Sequence, residues 1–152
     1  MKKVLMLVLI AMMTIPLTLT AGEKKVKKFE VNMKNKGMFV LLTTKKPAKA
    51  GLATALATKT LIRGGKATIV LSGSGLKLAL KKGELKNFPP KKVSVRKMLK
   101  AFMKKGGRVI VCAMCAKHSG LTKKDFIEGT ELKMSDRVLE QMYQKNWKVL
   151  SF

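Results

Sequence analysis

The sequence predicts a small α/β domain: a doubly wound, mostly parallel sheet of five strands with helices on both faces. Three observations predict it. Short, uninterrupted apolar runs recur along the chain, the pattern of strands buried on both faces. The stretches between them are helical or too long for hairpins, so successive strands run parallel through crossovers. Parallel crossovers are right-handed, which leaves a doubly wound sandwich as the economical solution.

The elements follow in order. Residues 38–42 (MFVLL) form the first buried strand, closed by two threonines and Lys45-Lys46-Pro47. Residues 48–63 are helical, with Leu52, Ala55, Leu56, Thr60 and Ile62 offering an apolar side, and Gly64-Gly65 stops the helix. Residues 67–71 (ATIVL) make the second strand, which ends in Ser72-Gly73-Ser74-Gly75 before a short helix over about residues 76–82. Asn87-Phe88-Pro89-Pro90 places a loop over residues 83–92. Ser94 then caps a helix in which Val95, Met98, Leu99, Phe102 and Met103 recur at helical spacing. Gly106-Gly107 ends it, and residues 108–112 (RVIVC) are the third strand. A short helix reaches Ser119, Gly120 turns the chain, and Thr122 caps one turn through Phe126. Residues 131–134 read as a weak fourth strand. Ser135 caps a helix carrying Val138, Leu139, Met142 and Tyr143, and residues 147–151 are the final strand.

Ahead of this domain, residues 4–20 carry no charge and follow Lys2 and Lys3. That pattern is expected to be a signal peptide over residues 1–21, cleaved between Ala21 and Gly22, and it places the protein in the periplasm or outside the cell. A membrane anchor needs about 20 apolar residues; this run is shorter and interrupted by Thr14, Pro16, Thr18 and Thr20. Residues 22–36 read as a lysine-rich lead, and residues 37–152 as the domain.

Net charge is +25, unevenly placed. Residues 31–124 hold 23 Lys or Arg against the single acid Glu84, whereas residues 125–152 hold five acids and four bases. Such a field concentrates anions and steers acidic partners. A solvated lysine surface is the plainest reading, followed by an acidic protein partner or an anionic membrane surface. Nucleic acid is disfavoured, because the few aromatics are not interleaved with the basic residues as stacking platforms.

Cys112 and Cys115 are the only cysteines. Export would put them where disulfides persist, yet so local a bridge restrains almost nothing, so the pair points to chemistry. In doubly wound sheets reactive groups sit beyond the carboxyl ends of strands, where Cys112 falls. The glycine-rich turn at Ser72–Gly75 belongs to the same rim but lacks the spacing of a nucleotide loop. A helix starting after Cys112, with Lys117 and the single histidine His118 nearby, is expected to favour the Cys112 thiolate against the opposing effect of burial. Two chemistries stay open: sulfur transfer or dithiol exchange on Cys112, and a soft-metal site (zinc or copper) built from Cys112, Cys115 and His118. Haem attachment is rejected, since Ala116 follows Cys115.

A strand ending in Cys112, a stretch of small, apolar and basic residues, then Gly120 and Leu121, resembles the DsrE/DsrF-like sulfur-relay family. The resemblance runs from about Gly37 to Phe152, through the Gly64-Gly65 turn and the closing Lys148-Val149-Leu150-Ser151-Phe152. It implies a flavodoxin-like, DsrE-like sandwich assembled as a trimer or hexamer, with Cys112 accepting sulfane sulfur as a persulfide; a non-catalytic oligomeric scaffold of the same fold is the alternative. No cofactor is expected, and the expected partner is a sulfur donor or acceptor protein, acidic to match the basic field. Cys115 is an addition to the family pattern and a resolving thiol by position; Lys117, His118 and Gly120 support the site. An oligomer is further suggested by Met33, Met38, Phe88 and Met134, which have no evident core role.

Overall fold

The computed structural model describes residues 31–133 and 135–152, and the expected signal peptide, most of the lysine-rich lead and Met134 lie outside them. Strand β1 (Gly37–Leu42) leads through helix α1 (Pro47–Ile62) to β2 (Lys66–Leu71). A 3₁₀ segment (Gly73–Ala79) follows, then two short strands, β3 (Asn87–Phe88) and β4 (Val93–Ser94). Helix α2 (Val95–Lys104), β5 (Arg108–Cys112) and α3 (Ala113–His118) come next. The chain closes with β6 (Glu131–Lys133), α4 (Ser135–Met142) and β7 (Trp147–Ser151).

The five-stranded sheet has the order β6-β5-β2-β1-β7 and every pairing in it is parallel. Four strands are laid down in one direction; only the step from β6 to β7 returns, to the far edge beside β1. The expected five strands are all present, and the sheet is wholly rather than mostly parallel. The antiparallel exception lies apart: β3 and β4 pair across the Pro89-Pro90 turn, where a plain loop was expected. Phe88 explains that ribbon. Its ring is buried against Gly51 of α1, where a Cβ would lie 2.3 Å from it, so this segment is pinned to the domain.

Side chains alternate along the strands and supply two cores. On one face Val40, Leu42, Ile69, Leu71, Val109 and Val111 meet α1, α2 and the 3₁₀ segment, with Leu99 and Phe102 fully buried. On the other, Phe39, Val70 and Ile110 form a smaller core with Val138, Met142 and Trp147. Ser94 accepts the Lys97 N–H at 3.3 Å, as its capping role requires, and Thr122 and Asp125 complete a reciprocal cap over Lys123–Asp125.

Helix α1 departs from expectation in its orientation. Leu52 and Ile62 are exposed, and the face against the sheet is Ala50, Gly51, Ala53, Thr54, Ala57 and Thr60. Small residues allow close approach, and the buried threonines satisfy their hydroxyls on backbone carbonyls one turn back: Thr54 on Ala50 at 2.8 Å and Thr60 on Leu56 at 3.2 Å. Two apolar residues taken as lacking a core role are also accounted for. Phe88 is buried, and Met38 packs against the larger core.

Candidate functional site

Because all five strands are parallel, their carboxyl ends share one rim, and three loops there are tied together. Thr43 follows β1 and accepts, at its carbonyl, the Ser74 hydroxyl at 2.9 Å and the Gly75 N–H at 3.1 Å. The Lys45 N–H returns to the Ser74 hydroxyl at 3.2 Å. Gly75 must be glycine, since a Cβ would stand 2.2 Å from the Leu42 carbonyl oxygen. The third loop carries the cysteines.

Cys112 closes β5 and is the residue before the first turn of α3; its sulfur accepts the Cys115 N–H at 3.5 Å. Cys115 faces the larger core and receives a hydrogen bond from the Gly73 backbone N–H. The glycine-rich turn after β2 therefore lies directly on the cysteine loop. Both thiols are free and half-buried. Gly120 ends α3: at φ +66° its N–H reaches the Lys117 carbonyl at 3.0 Å, and the Leu121 N–H reaches that of Ala116 at 2.9 Å. This is a helix stop that needs the left-handed region.

The two thiols are driven apart in acidity. Burial pushes the Cys112 thiol up, and its hydrogen bond to Cys115 adds to the rise. The Gly73 N–H holds Cys115 below the ordinary thiol value, and the Cys112 hydrogen bond lowers it further. Cys112 is thus the less acidic of the pair, its S–H donating to the Cys115 sulfur. This corrects the expected lowering at Cys112. Helix α3 is a short six-residue turn whose Cys115 and Met114 N–H contacts favour the Cys112 thiolate by too little to offset desolvation. Lys117 and His118 stand exposed in its last turn, at the end away from Cys112, and are not among the groups that shift it.

Cys112 opens instead toward the smaller core. A pocket of about 210 Å³ lies there, floored by Leu41, Val70, Cys112 and Lys133 on four adjacent strands. Val138 and Leu139 of α4 wall it, with Ser72 and Met114 at the rim. A polar chain sets α4 over this floor. Arg108 grips Glu131 with two bonds of 2.9 Å and reaches the Gln141 side chain at 3.3 Å; Gln141 in turn donates to the Thr68 hydroxyl at 3.0 Å. Lys133 shares the same Glu131 carboxylate. These cations hold Glu131 down to about 2, the Arg108 hydrogen bonds contributing most.

The structure brings Cys112 and Cys115 together and leaves His118 apart: among the described residues no three His, Cys, Asp or Glu side chains form a group that could hold a metal ion. The soft-metal set of Cys112, Cys115 and His118 is therefore not assembled. Sequence reading missed Lys133, Val138 and Leu139 as site residues. The signal for Lys133 was its place in the weak fourth strand, whose register sets it beside Cys112.

A family model described as DsrE/DsrF-like matches residues 36–152. Among solved structures, the YchN protein from E. coli superposes with a TM-score of 0.63 at 17% identity, over 79% of this chain and 100% of that one. MTH1491 from Methanobacterium thermoautotrophicum, titled a protein of unknown function, gives 0.61 at 10% identity over 77% and 99%. BT1422 from Bacteroides thetaiotaomicron, titled a conserved protein of unknown function, gives 0.57 at 18% over 78% and 96%. At these identities the likeness is one of fold. No curated protein matches this chain.

Proposed function

This chain belongs to the DsrE/DsrF-like family, whose family-level role is of the sulfur-relay kind, and on that footing we propose that it is an exported sulfur carrier. Cys112 accepts sulfane sulfur as a persulfide and hands it to a partner protein. The observation that carries this reading is the placement of Cys112 at a strand's carboxyl end, open to a pocket on one side and hydrogen-bonded to a second thiol on the other.

The pair divides the work. In the singly ionised pair the Cys115 sulfur takes the Cys112 proton while the Cys112 sulfur forms its bond to the incoming sulfane sulfur. The bond from that sulfur to its donor breaks, and the electron pair leaves with the donor. Absent an acceptor, Cys115 passes that proton to the outer sulfur of the persulfide and its own sulfur attacks the inner one; the bond between the two persulfide sulfurs breaks, leaving a Cys112–Cys115 disulfide and hydrosulfide.

Loading with a small persulfide donor, followed by intact-mass measurement, tests the assignment. Cys112→Ser should gain no sulfur, whereas Cys115→Ser should gain one and release it slowly. Sulfur retained by Cys112→Ser and lost in Cys115→Ser would reverse the roles. Export rests on the leader-like residues 1–21, and amino-terminal sequencing of the protein from the periplasm should begin at Gly22. The partner surface is acidic, given the basic field of residues 31–124. A homo-oligomer buries the apolar residues left exposed at the pocket, Met114 and Leu139. Light scattering that returns a strict monomer at micromolar concentration would remove the oligomer from this reading.

A further inference from the structure

We propose that the pocket beside Cys112 holds a short linear polysulfide, so that Cys112 carries a chain of sulfur atoms and not one alone. The inference rests on Cys112 being the sulfur acceptor. Size is the first argument. A sulfur atom is about the size of a water molecule, which takes about 30 Å³, while the pocket is about 210 Å³. A single sulfur on Cys112 would leave most of that apolar lining facing water, whereas a chain of sulfur atoms covers it.

The walls are the second argument. Leu41, Val70, Val138 and Leu139 offer no hydrogen bonds, and Met114 adds a polarizable thioether at the rim. An oxyanion such as sulfate or thiosulfate needs several donors around it and would find them only at Lys133 and Ser72. A catenated sulfur chain is apolar along its length and charged only at its end. The charge for that end is present: Arg108 and Lys133 share the single carboxylate of Glu131, which leaves the trio one positive charge, with Lys133 lining the pocket.

Loading needs no oxidant or reductant. The Cys112 sulfur attacks a sulfane sulfur within an inorganic polysulfide, and in the singly ionised pair its proton passes to Cys115. A new S–S bond to Cys112 forms, the S–S bond to the remainder breaks, and the electron pair leaves on the shortened polysulfide anion. The segment bound to Cys112 lies along the apolar floor with its charged end toward Lys133.

The reduced full-length protein is incubated anaerobically with inorganic tetrasulfide, and Cys112 peptides are weighed. The expected result is wild-type Cys112 bearing two or more added sulfurs. Ser72→Leu fills the pocket from its rim and removes no capping hydrogen bond, so it should lower the ratio of longer to single-sulfur forms whatever its total loading. Lys133→Met should lower the same ratio several-fold. Wild-type protein that never exceeds one sulfur, or Ser72→Leu with that ratio undiminished, overturns the polysulfide pocket and leaves the carrier standing. No sulfur on Cys112 in any of the three proteins removes both.

Discussion

The two faces of the sheet are built by different rules. The face under α1 and α2 is a closed jigsaw: Ala50, Ala53 and Ala57 of α1 set against Val40, Leu42 and Ile69, with Leu99 and Phe102 filling the remaining volume, all fully buried. The face under α4 has a three-residue buried core, a polar chain from Arg108 to Thr68, a pocket at Cys112 and exposed apolar side chains beside it. Stability is concentrated on the first face and chemistry on the second. A pocket can persist beside Cys112 because α4 is tied to the sheet by the Gln141 hydrogen bonds with Arg108 and Thr68 rather than by dense packing over its whole length.

The sharpest way to break this comparison is to empty each face in turn. Phe102→Ala should cost about 3–5 kcal/mol in urea unfolding, a large part of a typical domain's stability. Val138→Ala, on a half-buried side chain, should cost about 1 kcal/mol or less. Equal losses would mean that the α4 face carries as much of the fold as the other.

Gly120→Ala comes next, at about 1–2 kcal/mol, because an L-residue must enter the left-handed region there. Nothing stands near enough to clash with the added Cβ, so the loss is one of backbone alone. Alkylation of Cys112 should be unchanged; an altered rate would give this helix stop a direct part in the site.

Glu131→Gln tests the polar chain. Both partners of the Arg108 pair are partly solvated, with side chains 42% and 30% exposed, which limits its worth to about 1 kcal/mol. The sign follows from a carboxyl depressed from 4.5 to about 2 in the folded state. Its contribution is present above the unfolded value and is lost as pH falls from about 4.5 toward about 2. Wild type should therefore exceed Glu131→Gln at neutral pH and converge with it in that acid window. A gap that persists at the acid end would assign the effect to packing rather than charge.

The smallest effects are on the thiols. Iodoacetamide should find Cys115 at a lower pH than Cys112, whose midpoint lies above the ordinary thiol value. In Cys115→Ala the Cys112 midpoint should fall but stay raised, since burial is its larger cause. In Cys112→Ala the Cys115 midpoint should rise but stay lowered by the Gly73 N–H. A reversed order of alkylation would restore Cys112 as the primed nucleophile.

The three inner strands β1, β2 and β5 were legible because each is built on a nearly continuous apolar run, whereas the edge strands β6 and β7 carry lysines beside their apolar residues and signal more weakly. The α2 cap at Ser94, the α3 stop at Gly120 and the position of Cys112 at a strand end are equally local, each set by backbone groups within a few residues. What a helix buries is not local when it is apolar nearly all round. The α1 sequence offered Leu52 and Ile62 as readily as Ala53 and Ala57, and only the close approach of the sheet, α2 and Phe88 selected the small residues. The site divides along the same line. Sequence by itself put two thiols at a reactive rim and suggested, from the neighbouring Lys117 and His118, that Cys112 would be the acidic one. Tertiary structure decided the reverse, because acidity depends on which polar groups arrive from other elements and which water is excluded. The Gly73 N–H comes from a turn some 40 residues away in the chain, the desolvating walls come from α4 and β1, and Lys133 comes from the edge strand; no spacing around the cysteines records any of them.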